Sequence, residues 1–178
     1  MIYNSYIWKK DLNKQLEIIR ENNIIQKLSK EESFDEIEKA IFLSGFMIRK
    51  LMDSRTKVTD HIDNLSILIE VMDATDSPTI LNAHRIEQHY DLEKRDHVAI
   101  SLRNICNMLI HSFVFEFSIG DNELIDGFYI VADRNKDKAL YYVALDQWAD
   151  AISTIVHDNV ISMTLHFDDN GKAIIHKS

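Results

Sequence analysis

Apolar residues recur at helical spacing through the first part of the chain and alternate with polar ones through the last third. Residues 5–29 carry Ile7, Leu12, Leu16, Ile19 and Ile24 near the 3.6-residue period, with lysines and glutamates between them. A second helix is predicted from Ser33, which forms a capping-box pattern with Glu36, through Ile37, Ile41, Phe42, Phe46, Ile48, Leu51 and Met52. Gly45 inside that helix points to close contact with a neighbour, because glycine there costs about 1 kcal/mol against alanine. Asp53-Ser54-Arg55-Thr56 interrupts the pattern, and a third helix is predicted from about Thr59 to Met72 on Ile62, Leu65, Ile69 and Met72. Residues 73–91, with a turn signal at Asp76-Ser77-Pro78, read as a loop or a short helix. A long helix is predicted from about Leu92 to His111.

Past His111 the period changes to two. Phe113, Phe115 and Phe117 alternate with Val114, Glu116 and Ser118 up to Gly120-Asp121-Asn122. Segments 125–131 and 140–145 repeat the signal on either side of the polar run 133–138, which predicts a three-stranded antiparallel meander. Asp146 can cap a helix through Trp148, Ile152 and Ile155 to about His157. Segments 161–167 and 173–176 flank Asn170-Gly171, a hairpin signal. The meander and the hairpin are expected to form one continuous sheet, since the Phe113–Phe117 face needs cover. The expected fold class is α+β: a helical bundle over 1–112, then a β-rich part with one late helix over 113–178, together one compact domain.

Composition narrows the function classes. Net charge is −9, so any nucleic-acid contact needs a local basic patch. A single cysteine excludes an internal disulfide and fits a reducing cytoplasm. The N-terminal residues lack the order of a signal peptide, and no run approaches the roughly 18 apolar residues of a membrane span. A cytoplasmic protein with no membrane partner is expected.

The candidate chemistry lies in residues 101–111. On a helix, Arg103, Asn107 and His111 stack at i, i+4 and i+8, with Asn104 at the edge of that face. Leu102, Ile105, Cys106 and Leu109 lie opposite, toward a core. A cation, a carboxamide and an imidazole in one row suit a phosphate. The same row also suits hydrogen bonding across a helix interface, where buried polar groups need partners. His84, Glu87, His89, Asp91 and His97 could bind metal, but His84 and His89 are five apart and share a helix face poorly. They read as solvated loop residues, and neither a metal nor a cofactor is expected. Cys106 reads as a small buried hydrophobe. The aromatics of the strands read as half-buried packing against helices, since no basic residues alternate with them.

Asn107-x-x-x-His111 resembles part of the motif of HEPN domains, all-helical dimerising domains that carry an arginine, a polar residue and a histidine on one late helix. The resemblance covers roughly residues 5–112. Cys106 stands where the motif has its arginine. In active members the family implies metal-independent RNA cleavage in a cleft formed across a dimer two-fold. By that resemblance His111 would accept the 2′-hydroxyl proton, and Arg103, Arg49 or a partner's arginine would face the phosphate charge. Asn107 would assist and Asn104 would contact substrate. The expectation is a homodimeric, non-catalytic relative of such ribonucleases, from a toxin or defence locus as the family often is. The alternatives are an active endonuclease using His111 with Arg103, and a module binding a small nucleotide. RNA or a nucleotide is the expected ligand.

Overall fold

Asn4 starts the first helix by accepting the Tyr6 backbone N–H at 3.0 Å. In this computed structural model α1 spans Ser5–Asn22 and is followed by the single turn α2, Ile25–Leu28. The structure describes all residues but Met1, Ser29, Asp169, Gly171 and Lys172, and Ala173 through its backbone. Helix α3, Glu31–Asp53, begins two residues before the expected cap. Ser33 is buried within it rather than capping it, and Glu31 and Glu32 place negative charge at its positive end.

Two expected helices are replaced in whole or in part by strands. The segment 59–72 gives a one-turn α4, Asp60–Asp63, and then strand β1, Ser66–Asp73. Ile67, Ile69 and Val71 are β-branched and alternate, and this period of two prevails over the coincident helical spacing of Ile62, Leu65, Ile69 and Met72. The segment 92–111 gives β2, Asp96–Ser101, and only then α5, Leu102–Ile110. Ser101 decides that boundary: its hydroxyl accepts the Asn104 N–H at 3.3 Å.

Strands β3 (Ser112–Ile119), β4 (Ile125–Ala132) and β5 (Ala139–Ala144) form the expected meander. They join β1 and β2 in an antiparallel sheet ordered β2-β1-β5-β4-β3. The chain is therefore α+β, with helices first, a five-stranded sheet, and a late helix α6, Leu145–His157. Asp146 lies in the first turn of α6, and Ala144 takes the cap position without a side-chain bond.

Helices α3, α5 and α6 cover one face of the sheet, and α1 packs on α3 and α6. Phe42 of α3 packs on Phe115, Phe34 on Phe117, and Trp148 of α6 meets the edge of Phe128. Leu12, Ile41, Ile105, Ile130 and Ile152 are among the fully buried residues of that core, each such side chain contributing roughly 1.5–3 kcal/mol. Gly45 admits α5 against α3: a Cβ there would meet Leu109 Cδ1 at 2.7 Å. The opposite face carries a smaller cluster of Met72, Ile86, Tyr90, Val114, Tyr129, Val131 and Leu140 beneath the 74–95 connection. Phe113 belongs to this second face although Phe115 and Phe117 face the helices. A register shift between Ser112 and Val114 breaks the alternation there.

The C-terminal hairpin of β6, Met163–Phe167, and β7, Ala173–Lys177, forms its own two-stranded sheet. The expected continuation of the main sheet is thus corrected. Lys177 ties β7 to α4 instead, through ion pairs with Asp60 and Asp63. Gly171 of the turn signal lies outside the described residues.

Candidate functional site

Helix α5 carries the chain from the β2 edge of the sheet to the β3 edge, pressed between sheet and α3. Its last residues open into β3, and the pairing of Ser112 with Ala132 lays the start of the β4–β5 connection beside His111. Asn107, His111, Ala132, Asp133 and Arg134 thereby line a hollow of about 400 Å³. A second hollow of about 220 Å³, lined by Phe46, Arg49, Lys50, Asp53 and Ile110, shares Asn107 and His111 with the first.

His111 follows the last turn of α5, its backbone N–H bonded to the Asn107 carbonyl at 3.1 Å. Its ring is exposed and has no hydrogen-bond partner among the described residues. Asn107 is half-buried, and its Oδ1 accepts from Arg49 Nε at 2.8 Å. That bond fixes the carboxamide, so Nδ2 is left as a donor without a protein partner among the described residues. Arg49 in turn pairs with Asp53 at i, i+4, and the same Asp53 Oδ1 takes Arg103 NH1 at 2.8 Å. Burial, and then the neighbouring Arg103 charge, hold the Arg49 guanidinium below the usual arginine range.

Arg103 is committed elsewhere. Besides Asp53, its NH2 lies 3.6 Å from Asp63 Oδ1, and Asp63 is also paired with Lys177. The chain of charges Arg49–Asp53–Arg103–Asp63–Lys177–Asp60 thus joins α3, α5, α4 and β7. Asn104 is exposed at the start of α5, and among the described residues its side chain has no protein partner. Of the five residues singled out by the sequence, Arg49, Asn107 and His111 come together, while Arg103 is neutralised one turn away. Cys106 is fully buried, and burial pushes its thiol up to about 12, so it presents neither a cation nor a thiolate.

Arg134 and Asp133 were not among the residues singled out. They sit in the polar run 133–138, which marks a connection but not its neighbour across the β3–β4 register. Asp133 Oδ1 takes Lys136 Nζ at 2.8 Å, and that ammonium lies 4.0 Å over the Phe113 ring. The second cluster also needs correction. His84, Glu87 and His97 are exposed, but His89 is 3% exposed, with both ring nitrogens unpartnered. Its carbonyl is used instead, accepting from Thr75 and Asp76. Among the described residues no group of three histidine, cysteine or acidic side chains is placed to hold a metal ion. No described helix is long and apolar enough to cross a membrane. No family model, curated protein or solved structure matches the chain.

Proposed function

We propose that the chain is a binding protein whose Asn107–His111 cleft takes a phosphate-bearing nucleotide, free or at the end of an RNA strand, without cleaving it. The observation that carries this reading is the Arg49–Asn107 bond. It orients Nδ2 as a donor beside the uncommitted His111 ring, with Arg134 on the facing wall. A cavity of about 400 Å³ falls within the size range of small-ligand sites. Three donors suit the phosphate, and the Asp133 carboxylate, with its charge balanced by Lys136, suits the donors of a ribose or base.

The absence of cleavage follows from the cations. Attack by a 2′-hydroxyl needs a base and a cation aimed at the developing charge. His111 can serve as the base, but on its own helix Arg103 is shared by two carboxylates and Cys106 holds the position of the motif arginine. Arg49 is engaged by Asp53 and Asn107, and Arg134, from the connection after β4, is assigned to holding the phosphate. The reading is that of a degenerate HEPN-like protein, homodimeric and cytoplasmic, that keeps the Asn-x-x-x-His pair as a ligand contact, although β1 and β2 stand within the stretch that is all-helical in that family; a toxin or defence locus is the setting this resemblance suggests. Calorimetric titration with a nucleoside monophosphate should give saturable one-site binding that His111→Ala weakens about tenfold, the scale of one charge-assisted bond. Incubation with RNA of mixed sequence should leave it intact. Cleavage abolished by His111→Ala would replace this reading with the nuclease one.

A further inference from the structure

We propose that the protein self-associates through the free edge of β6, which pairs antiparallel with β6 of a second copy across a two-fold axis at Leu165. The hydrogen-bond alternation of the hairpin locates that edge. Ser162 and Ser178 exchange both backbone bonds, at 2.9 and 3.1 Å, so they form a hydrogen-bonded pair. Met163 and Lys177, the next pair in register, therefore direct their N–H and C=O groups outward, as do Leu165 with Ile175 and Phe167 with Ala173.

The two outer edges have different fates. On β7 the outward N–H of Lys177 is taken by Asp60 Oδ2 at 3.1 Å, which turns that edge toward α4. On β6 the outward groups of Met163, Leu165 and Phe167 meet no described residue. Their side chains are 58%, 55% and 68% exposed. Native edges of this kind are ordinarily blunted by lysine, proline or an inward charge. β6, Met-Thr-Leu-His-Phe, carries no proline, lysine, arginine or acidic residue.

The strand is complementary to itself. A two-fold at Leu165 sets Met163 against the second copy's Phe167, Leu165 against its own copy, and Thr164 against His166. It brings no like-charged pair together in a chain of net charge −9, which disfavours most other self-contacts. A two-stranded hairpin alone is marginal in water, and the pairing makes it part of a four-stranded sheet. The contact is small beside the roughly 1,200–2,000 Å² of a stable complex, so association is expected in the micromolar range or weaker.

This inference takes from the proposed function only the homodimer, and its test does not involve the ligand. Light scattering from micromolar to near-millimolar concentration should show monomer passing to dimer, and Leu165→Lys should hold the chain monomeric with an unchanged melting temperature. If Leu165→Lys disturbs the hairpin, Leu165→Cys supplies the second readout. Antiparallel partners in that position have Cα atoms about 5.5 Å apart, within disulfide reach. Oxidation should therefore give a covalent dimer from Leu165→Cys and none from His176→Cys on β7. A monomer throughout the range, or a dimer that Leu165→Lys leaves intact, would overturn the proposal. So would failure of Leu165→Cys to crosslink in a dimeric sample.

Discussion

Arg49 Nε donates to Asn107 Oδ1 at 2.8 Å, joining residues 58 apart in sequence on the facing helices α3 and α5. The bond orients the carboxamide at the mouth of the cleft, and the other end of the same guanidinium pairs with Asp53. Arg49→Gln should therefore loosen Asn107 and weaken nucleotide binding with little loss of stability, since Arg49 lies at the rim of the core. A binding constant unchanged in Arg49→Gln would remove Asn107 from the site.

Asp53 accepts from two guanidinium groups and so competes with any anion for them. Asp53→Asn should tighten nucleotide binding about two- to five-fold, the scale of a partly exposed ion pair worth roughly 0.5–1 kcal/mol. Calorimetry on the variant checks the sign. Weaker binding would mean that Asp53 positions the ligand rather than competing with it.

Much of the site's scaffold was legible before the fold was known, and the reasons differ residue by residue. The 3.6-residue period placed Asn107 and His111 on one face, and Gly45 correctly marked a close helix contact. Arg49 is legible as a candidate cation but not as the partner of Asn107, and Arg134, from across the β3–β4 register, and Lys177, from the last strand, are hidden because each comes from a distant element. The Arg49-x-x-x-Asp53 spacing does signal their pairing. Strands β1 and β2 are not legible in the sequence because short apolar runs fit both periods. Ser101 was the available sign that the helix begins at residue 102.

Trp148 Nε1 donates to Ser44 Oγ at 3.1 Å, and the Ser44 hydroxyl in turn donates to the Ile41 carbonyl at 2.8 Å, all within the main core. Ser44→Ala would leave the indole N–H buried without an acceptor, at a cost of about 1–3 kcal/mol. Denaturant unfolding should show a lower midpoint with an unchanged slope. No loss of stability would show that the indole finds another partner.

Gly127 lies beneath the Tyr142 ring, where a Cβ would sit 2.4–2.6 Å from Cε2, Cζ and the hydroxyl oxygen. Gly127→Ala must displace that ring and should cost about 1–3 kcal/mol. Most of that penalty should vanish in a Tyr142→Ala background. Additive effects in the double variant would contradict the contact as its cause.

Tyr90 is 3% exposed and donates to the Lys136 carbonyl at 2.9 Å. Burial, reinforced by Asp137, pushes its phenol up from 10.0 to about 12. Between those values the unfolded chain releases the proton and the folded chain keeps it. Stability is therefore whole below pH 10 and falls as pH rises toward 12, by on the order of 2–3 kcal/mol from this residue. Tyr142 moves in the same direction through burial. Tyr90→Phe should lose a little stability at pH 8 and show a shallower alkaline decline. An equal decline in both proteins would assign the loss to other groups.

The histidine side-chain resonances report most directly on whether the cleft is a nucleotide site. The chain has eight histidines, and only His111 lines the hollow shared with Asn107 and Arg134. In a protein with isotope-labelled histidine, titration with a nucleoside monophosphate should shift the His111 ring nitrogens to saturation and leave the other seven essentially unmoved. The nucleotide should be recovered unchanged. Shifts spread over several histidines, or none at His111 up to millimolar ligand, would contradict the account.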